Sequence, residues 1–294
     1  MSNRTEISTL GEFGLIRHLT NRIEIKNNST IKGVGDDAAI LSYEDKQVLV
    51  TTDLLLEGIH FDLTYVPLKH LGYKSAVVNF SDIYAMNGQP KQITVSLGIS
   101  KRFSVEDVED FYAGLKLACD VYGVDIVGGD TSASLTGLCI SITCIGEGER
   151  DKVVLRSGAQ ETDLICVSGD LGAAYMGLQL LEREKRIFKG EKDFTPDFTG
   201  KEYLLERQLK PEARKDIVEM LRHAGIIPTE MMDISDGLSS ELLHISKESN
   251  VGCRVYEDRI PIDYQTAAMA EQFNMNLVTA ALNGGEDYEL LFTV

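Results

Sequence analysis

Basic residues are scarce in this sequence. Its 29 lysines and arginines stand against 46 aspartates and glutamates, a formal net charge of −17. A chain with that balance lacks the basic face that nucleic acid or an anionic membrane surface requires, so neither is expected as a partner. Long hydrophobic runs are missing too. The apolar stretches fall well short of the ~18 residues of a membrane-spanning helix. The opening MSNRTEISTLGEFGLIRHL has no signal-peptide core ahead of a small-residue cleavage site. A cytoplasmic protein is the expectation. Cysteine is sparse and odd in number, at five, with no CxxC pair. Cys119, Cys139, Cys144, Cys166 and Cys253 have mostly apolar neighbours, which suits reduced thiols rather than a disulfide frame or a zinc site. Proline occurs only six times. There is no internal repeat of about 20–50 residues and no low-complexity tract.

Several familiar catalytic signatures are absent as well. No GxxxxGK[ST] occurs; the nearest string, Gly72-Tyr73-Lys74-Ser75, has the wrong order. Gly33–Ala38 (GVGDDA) loosely fits a dinucleotide loop, but no strong strand precedes it and two acids would face a pyrophosphate. Zinc-protease and nucleophile-elbow motifs are missing. His18, His60, His70, His223 and His244 form no i, i+4 pair, so no nucleophile–base arrangement can be read from them.

What remains is a soluble, globular composition of 294 residues, 43% of them apolar, enough for two domains. Apolar spacing predicts helices over 10–20, Gly72–Met86 and Val105–Tyr122, and strands over Gln47–Thr52, Ile93–Ile99, Asp125–Val127 and Leu138–Ile145. The polar, Gly-rich GEGERD at 146–151 suggests a boundary between domains 1–150 and 151–294. Beyond it, Asp163–Ser168 reads as a strand, and Gly172–Glu182 and Ile234–Ser249 as helices. PEARKDIVEMLRHAG reads as a helix with Pro211 in its first turn and Gly225 as its stop. Residues 187–202 read as a solvated insertion. The final LFTV is strand-like, so the chain is expected to lack C-terminal sequence.

One pattern stands out. Acidic residues recur beside glycine, threonine or serine at the ends of apolar runs: GVGDDA (33–38), TTD (51–53), SDI (81–83), GGDT (128–131), DISDG (233–237) and GGED (284–287). Any one Asp in a turn is ordinary turn chemistry. If six such segments converge, their carboxylates repel one another unless cations neutralise them. Aspartate is a hard oxygen ligand suited to Mg²⁺, and Mg²⁺ commonly accompanies phosphate.

Taken in order, the motifs GEF, GDDAA, TTD…GIHF, NFSDIYAMNGQP, GGDT, LRSGA, DISDGL and GGEDYEL resemble the thiamine-monophosphate kinase family. That family lies within the aminoimidazole ribonucleotide synthetase-like ATP-binding superfamily. The resemblance runs from Gly11 to Phe292. It implies an α/β fold (α+β type) of two domains: an N-terminal sheet domain for ATP, Mg²⁺ and dimerisation, and a C-terminal α/β domain. It implies ATP-dependent phosphorylation of thiamine phosphate to thiamine diphosphate, the last step of its biosynthesis, by direct in-line transfer with several Mg²⁺ ions in a homodimer. By the same resemblance, Asp37, Thr51, Thr52, Asp53, Asp82, Asp130, Asp233 and Asp236 match metal-contacting positions. Tyr112, Gly129, Asp130, Arg156 and Ser235 match ATP-binding positions, and His60 and Glu286 match substrate-contacting ones. No general base is implied, because the attacking phosphate oxygen is already anionic.

Plainer roles stand beside these. Asp36 fits a turn or cap. Tyr112 fits helix packing, Arg156 a surface ion pair and His60 a packed strand position. Asp287 either supports Glu286 or holds its turn, and Met86 fits the core. The family continues for several tens of residues past GGEDYELLF, with an aromatic residue there that packs on thiamine, so weak substrate binding or lost activity is expected of the chain as given. Two alternatives remain. One is another ATP-using synthetase of the superfamily; a selenophosphate synthetase commonly needs a reactive residue near its N-terminus, where the first cysteine here is Cys119. The other is a nucleotide-binding assembly protein without turnover.

Overall fold

The computed structural model describes residues 30–32, 36–43, 46–187 and 198–294. The expected helix over 10–20, the GEF motif, His18, Gly33–Gly35 and residues 188–197 of the insertion lie outside the described residues.

Two sheets organise the chain. The first has six strands in the order β1–β2–β3–β6–β4–β5. They are β1 (Thr30–Lys32), β2 (Ala39–Tyr43), β3 (Lys46–Leu56), β4 (Gln89–Ile99), β5 (Asp125–Ala133) and β6 (Cys139–Glu149). All neighbours are antiparallel except β4 and β5. A parallel pair requires a crossover, here helix α2 (Val105–Tyr122). Ser104 caps α2: its hydroxyl accepts from Asp107 N at 3.2 Å, and its own N–H donates to the Asp107 carboxylate at 2.8 Å. Gly123, with φ 71°, ends the helix in the left-handed region.

Helix α1 (Leu68–Ala85) joins β3 to β4 and is buried on almost every side. It lies between the sheet, α2 and the second half of the molecule, which is why its sequence has no clear polar face. It meets α2 at very short range. A Cβ on Gly72 would sit 1.9 Å from the Phe111 carbonyl oxygen, and one on Gly114 1.7 Å from that of Lys69.

The second sheet runs β7–β9–β8, all antiparallel: β7 (Ile165–Val167), β8 (Glu230–Asp233) and β9 (Leu290–Thr293). Helices α3 (Ala173–Ile187), α4 (Glu202–Leu209), α5 (Lys215–His223), α6 (Leu238–Ser249), α7 (Tyr264–Gln272) and α8 (Leu277–Asn283) accompany it. One buried cluster contains Phe80, Ile83, Ile93 and Ile142 from the first half and Val218, Leu221, Met231 and Leu290 from the second. Burying each large side chain contributes about 1.5–3 kcal/mol, so the shared core binds the halves strongly. Polar ties reinforce it. Tyr73 and Tyr122 donate their hydroxyls to Glu212 at 2.8 and 2.6 Å. Lys185 donates to Asp62 at 2.5 Å, and Tyr65 to Glu182 at 2.8 Å.

Three of the six acidic segments lie in regular structure, one of them in the helix expected over Gly72–Met86. Thr51–Asp53 lies inside β3, whose ladder with β6 continues to Leu56. Ser81–Ile83 lies inside α1, and Gly128–Thr131 inside β5. Strand β6 extends through Glu149, so GEGERD begins as strand and turns only at its end. Helix α5 starts at Lys215, four residues beyond Pro211. The intervening Glu212 is drawn to the two tyrosines and Arg214 to Glu289, which holds 211–214 out of the helix. All five cysteines are free, with Cys119 and Cys144 buried and Cys253 exposed. No helix among the described residues is long and apolar enough to cross a membrane.

Candidate active site

Three carboxylates meet where the two sheets join. Asp37 comes from the bend before β2, Asp82 from α1 and Asp233 from the end of β8. Their ligand oxygens all lie within 4.8 Å of one another. Hydroxyls brace two of them: Thr51 Oγ1 donates to Asp82 Oδ2, and Ser81 Oγ to Asp233 Oδ2, each at 2.5 Å. Asp53 stands on the same face of β3 as Thr51, two residues along, and its charge reaches both Asp82 and Asp233.

Burial and mutual repulsion make these acids hard to ionise. Burial first, then the charges of Asp233 and Asp36, push Asp37 up to about 7 against the pull of Arg156. Burial raises Asp53 to about 6. Asp233 is raised to about 6 by burial and by Asp53, while its bond from Ser81 opposes the shift. Asp82 is held well above the carboxylate range by burial and by Asp233, Asp53 and Asp37. The donor set is all hard oxygen, without a histidine or thiol, and negative charge in excess of its single guanidinium. Such a set fits Mg²⁺ rather than a soft metal.

Arg156 is that guanidinium. Its Nε lies 3.3 Å from Asp37 Oδ2, and its Nη2 makes a closer bond to Oδ1. Its backbone N–H donates to Asp36 Oδ1 at 3.3 Å. The Asp36 side chain is fully buried and also takes Lys32 Nζ at 2.5 Å, so it anchors the bend.

A second group forms where the DISDG and GGED turns pair. Glu286 N donates to Ser235 O at 2.7 Å, and Tyr288 N to Ile234 O at 2.9 Å. This sets exposed Ser235 and Asp236 beside Glu286. Glu286 and Tyr288 have φ of 59° and 52°, conformations uncommon outside glycine that cluster at functional sites. Asp287 accepts from Gly172 N at 2.8 Å and Ala174 N at 3.3 Å, so it caps α3 and fixes the turn. Burial raises its carboxyl to about 6.

His60 is exposed, and its Nδ1 accepts from Leu56 N at 3.0 Å, which leaves Nε2 for a ligand. The ring lines a cavity of about 20 Å³ together with Phe61, Tyr65, Lys74 and Gln208.

The remaining candidates stand apart. Pairing across the first sheet runs Leu54–Ser141–Ser96–Asp130, so Asp130 shares the outer face with Leu54, which is 52% exposed. Thr52 is on that face too and bonds to Ile142 O at 3.0 Å. Thr51 and Asp53 are on the inner face. A Cβ on Gly129 would lie 1.9 Å from Val95 O, so glycine is what lets β5 close on β4. Tyr112 is half-buried on α2, edge-on to Phe111 with ring centroids 5.8 Å apart.

Sequence reasoning missed three residues here. Glu241 of α6 accepts from Asp236 N at 2.9 Å, and burial raises it to about 8. Its place in the first turn of a helix after an Asp-rich loop was a usable signal. Buried Lys74 and Gln208 both bond to Glu286, at 3.1 and 2.8 Å, and they come from 212 and 78 residues away in the chain, with no local signature.

Residues 35–147 match the family model described as AIR synthase related protein, N-terminal domain. A thiamine-monophosphate kinase of Aquifex aeolicus (strain VF5) is 38% identical over 287 residues, covering 98% of this chain and 87% of the relative. This chain belongs to the thiamine-monophosphate kinase family. The Bacillus subtilis (strain 168) kinase of that name is 34% identical, covering 97% of this chain and 84% of its own length. Among solved structures, AaThiL complexed with AMPPCP and TMP superposes with a TM-score of 0.86 at 37% identity, over 99% of this chain and 87% of that one. The thiamine-monophosphate kinase from Stenotrophomonas maltophilia K279a does so at 0.75 and 30%, over 100% and 86%. Hydrogenase maturation protein HypE in complex with ATP, at 18% identity and a TM-score of 0.67, shares the fold alone.

Proposed function

We propose that this chain transfers the γ-phosphoryl group of ATP to the phosphate of thiamine phosphate, giving thiamine diphosphate and ADP. The observation that carries the reading is the buried trio Asp37, Asp82 and Asp233, with Asp53 and Thr51 beside it, in a chain kin to these kinases over 98% of its length. The relative solved with AMPPCP, a nucleotide that cannot donate its last phosphoryl group, and TMP supports ATP and thiamine phosphate as the pair.

Asp37, Asp53, Asp82 and Asp233 would hold Mg²⁺, with Thr51 and Asp236 next to them. Bound there, Mg²⁺ supplies the positive charge that lets two phosphate-bearing reactants approach. The chain's own residues do the rest by position. Arg156 offers a guanidinium fork to the nucleotide phosphates and fixes Asp37. Ser235 and Asp236 present polar groups at the cleft between the halves. His60 offers Nε2 to the substrate, and Glu286 binds its far end. No residue needs to remove a proton, since the accepting phosphate oxygen is anionic.

Residues 1–150 would serve as the ATP, metal and dimerisation domain, and 151–294 as the domain that closes the site. A homodimer through the first sheet is supported by its open outer face, where Leu54, Thr52 and Asp130 stand. In that assembly Asp130 and Thr52 act from the face a second copy occupies. Tyr112 would contact the nucleotide from α2. The cytoplasm, where ATP and Mg²⁺ are abundant, is the compartment this chemistry requires. Incubation with ATP, Mg²⁺ and thiamine phosphate should give thiamine diphosphate in proportion to ADP. ADP without thiamine diphosphate, or no turnover by the full-length protein, would refute the assignment.

A further inference from the structure

Gln208 carries an oddity that the phosphate chemistry does not use. Its residue is 5% exposed, and its Oε1 is buried without a hydrogen-bond partner among the described residues. The amide orientation is not ambiguous. The other end of the group bonds to Glu286 Oε2 at 2.8 Å, and a carboxylate next to an ammonium only accepts, so Nε2 must face it and Oε1 must be the free acceptor. Lys74, 6% exposed, locks the arrangement: its Nζ lies 3.1 Å from Glu286 Oε1 and donates to the Gln208 backbone carbonyl oxygen at 3.0 Å.

A buried acceptor left empty costs about 1–3 kcal/mol and needs a reason. The reason is next to it. Gln208 and Lys74 line the cavity of about 20 Å³ together with exposed His60. Its walls include Leu55, Phe61, Tyr65 and Leu178. That volume suits one small polar group, such as an amino group or a water. The node therefore holds one unpaired acceptor, Gln208 Oε1, in a residue that lines a small, largely apolar recess, with Glu286 fixing the amide from its other end. It selects for a ligand with a hydrogen-bond donor on a flat apolar body.

We propose that Gln208 is a specificity-determining residue whose Oε1 accepts from the exocyclic amino group of the substrate's aminopyrimidine ring, with Lys74 as the positioning residue that keeps Glu286 and Gln208 in place. This rests on thiamine phosphate being the substrate. It goes beyond that reading by naming the atom that tells the amine from an oxygen at the same ring position. An oxygen there would face an acceptor and be repelled.

The test pairs a variant with a substrate analogue. The full-length protein and Gln208→Met, which keeps length and removes the acceptor, are assayed with thiamine phosphate and with the analogue in which oxygen replaces the 4′-amino group. Wild type should prefer the amine by at least about tenfold in kcat/KM, as one well-made polar contact allows. Gln208→Met should lose most of that preference by slowing the amine substrate, with KM for ATP unchanged. Lys74→Met should raise KM for thiamine phosphate and leave KM for ATP alone. An equal fall with both substrates, or a wild-type protein indifferent to the amine, would overturn the proposal. Calorimetric binding of the two ligands without ATP gives a readout independent of turnover. If neither is phosphorylated but the amine binds tenfold tighter, the kinase reading falls and the recognition stands; equal binding overturns the recognition itself.

Discussion

Replacing Asp53 by asparagine should stabilise the metal-free protein while destroying its activity. Asp53 has an ordinary value of 3.8 and is pushed up to about 6 in the folded chain, by burial alone. A carboxyl raised on folding binds its proton more tightly in the native state, so native stability falls as pH rises from about 4 to 6 and stays reduced above that. At about 1.4 kcal/mol per pH unit, the full penalty at pH 8 is ~3 kcal/mol, and at pH 5 it is ~1.5 kcal/mol. The asparagine side chain carries no charge and escapes it. Relief of repulsion on Asp82 and Asp233 acts in the same direction. With roughly 2 °C per kcal/mol for a chain of this size, Asp53→Asn should melt ~6 °C higher than the parent at pH 8 and ~3 °C higher at pH 5. The assay is thermal unfolding in a chelating buffer across that range, repeated with excess Mg²⁺. With the ion present the order should reverse, because the parent, with one more carboxylate beside the trio, gains more binding energy than the variant. A variant that melts lower than the parent in chelator, or a gap that does not widen with pH, refutes the argument that burying the ionised Asp53 carboxylate costs the metal-free fold this much.

Gly114→Ala should destabilise the fold by about 2–4 kcal/mol in urea unfolding, since the new methyl would lie 1.7 Å from Lys69 O and α1 and α2 would have to part. Glu212→Gln should cost about 1 kcal/mol, by weakening the bonds from Tyr73 and Tyr122, without changing KM for either substrate. Arg156→Lys should lower kcat/KM for ATP at least about tenfold while circular dichroism stays native, because an ammonium cannot hold Asp37 and a phosphate by a fork. Asp82→Asn should abolish Mg²⁺-dependent turnover and weaken Mg²⁺ binding by calorimetry; full activity in that variant would remove Asp82 from the metal site.

Much of the first sheet was legible because its strands alternate cleanly and its helices carry ordinary stop signals. Val105–Tyr122 was bounded correctly by Ser104 and Gly123, a cap and a left-handed stop. The failures have two causes. Aspartate beside glycine or threonine reads as a turn when local chemistry is all there is, yet β3 and β5 keep TTD and GGDT extended through ladders with β6 and β4. Strands β1, β2 and β8 and helices α4, α7 and α8 went unread, being short and dependent on packing. Six acidic motifs were visible as a set, but not which of them meet. Nothing in the spacing tells that 37, 82 and 233 converge, or that Thr52 and Asp130 face away from Asp53. Alternation gives that last fact once the strand is known. Lys74 and Gln208 were invisible because their roles exist only in the assembled cleft.

The strand order β7–β9–β8 has a consequence for how the protein is made. Among the described residues, strand β8, which ends at Asp233, has β9, the strand that spans 290–293, as its one strand partner. On the ribosome, residues 30–149 can complete the six-stranded sheet long before β9 emerges. During that interval Asp37, Asp53 and Asp82 are already gathered on one side, without the third member of the trio. The nascent chain therefore carries a partial cluster of carboxylates, whose mutual repulsion opposes early closure of the cleft. Arrival of β9 gives β8 its strand partner and brings Asp233 to the other two. Translation order thus makes the three-carboxylate cluster a late contact of the described molecule.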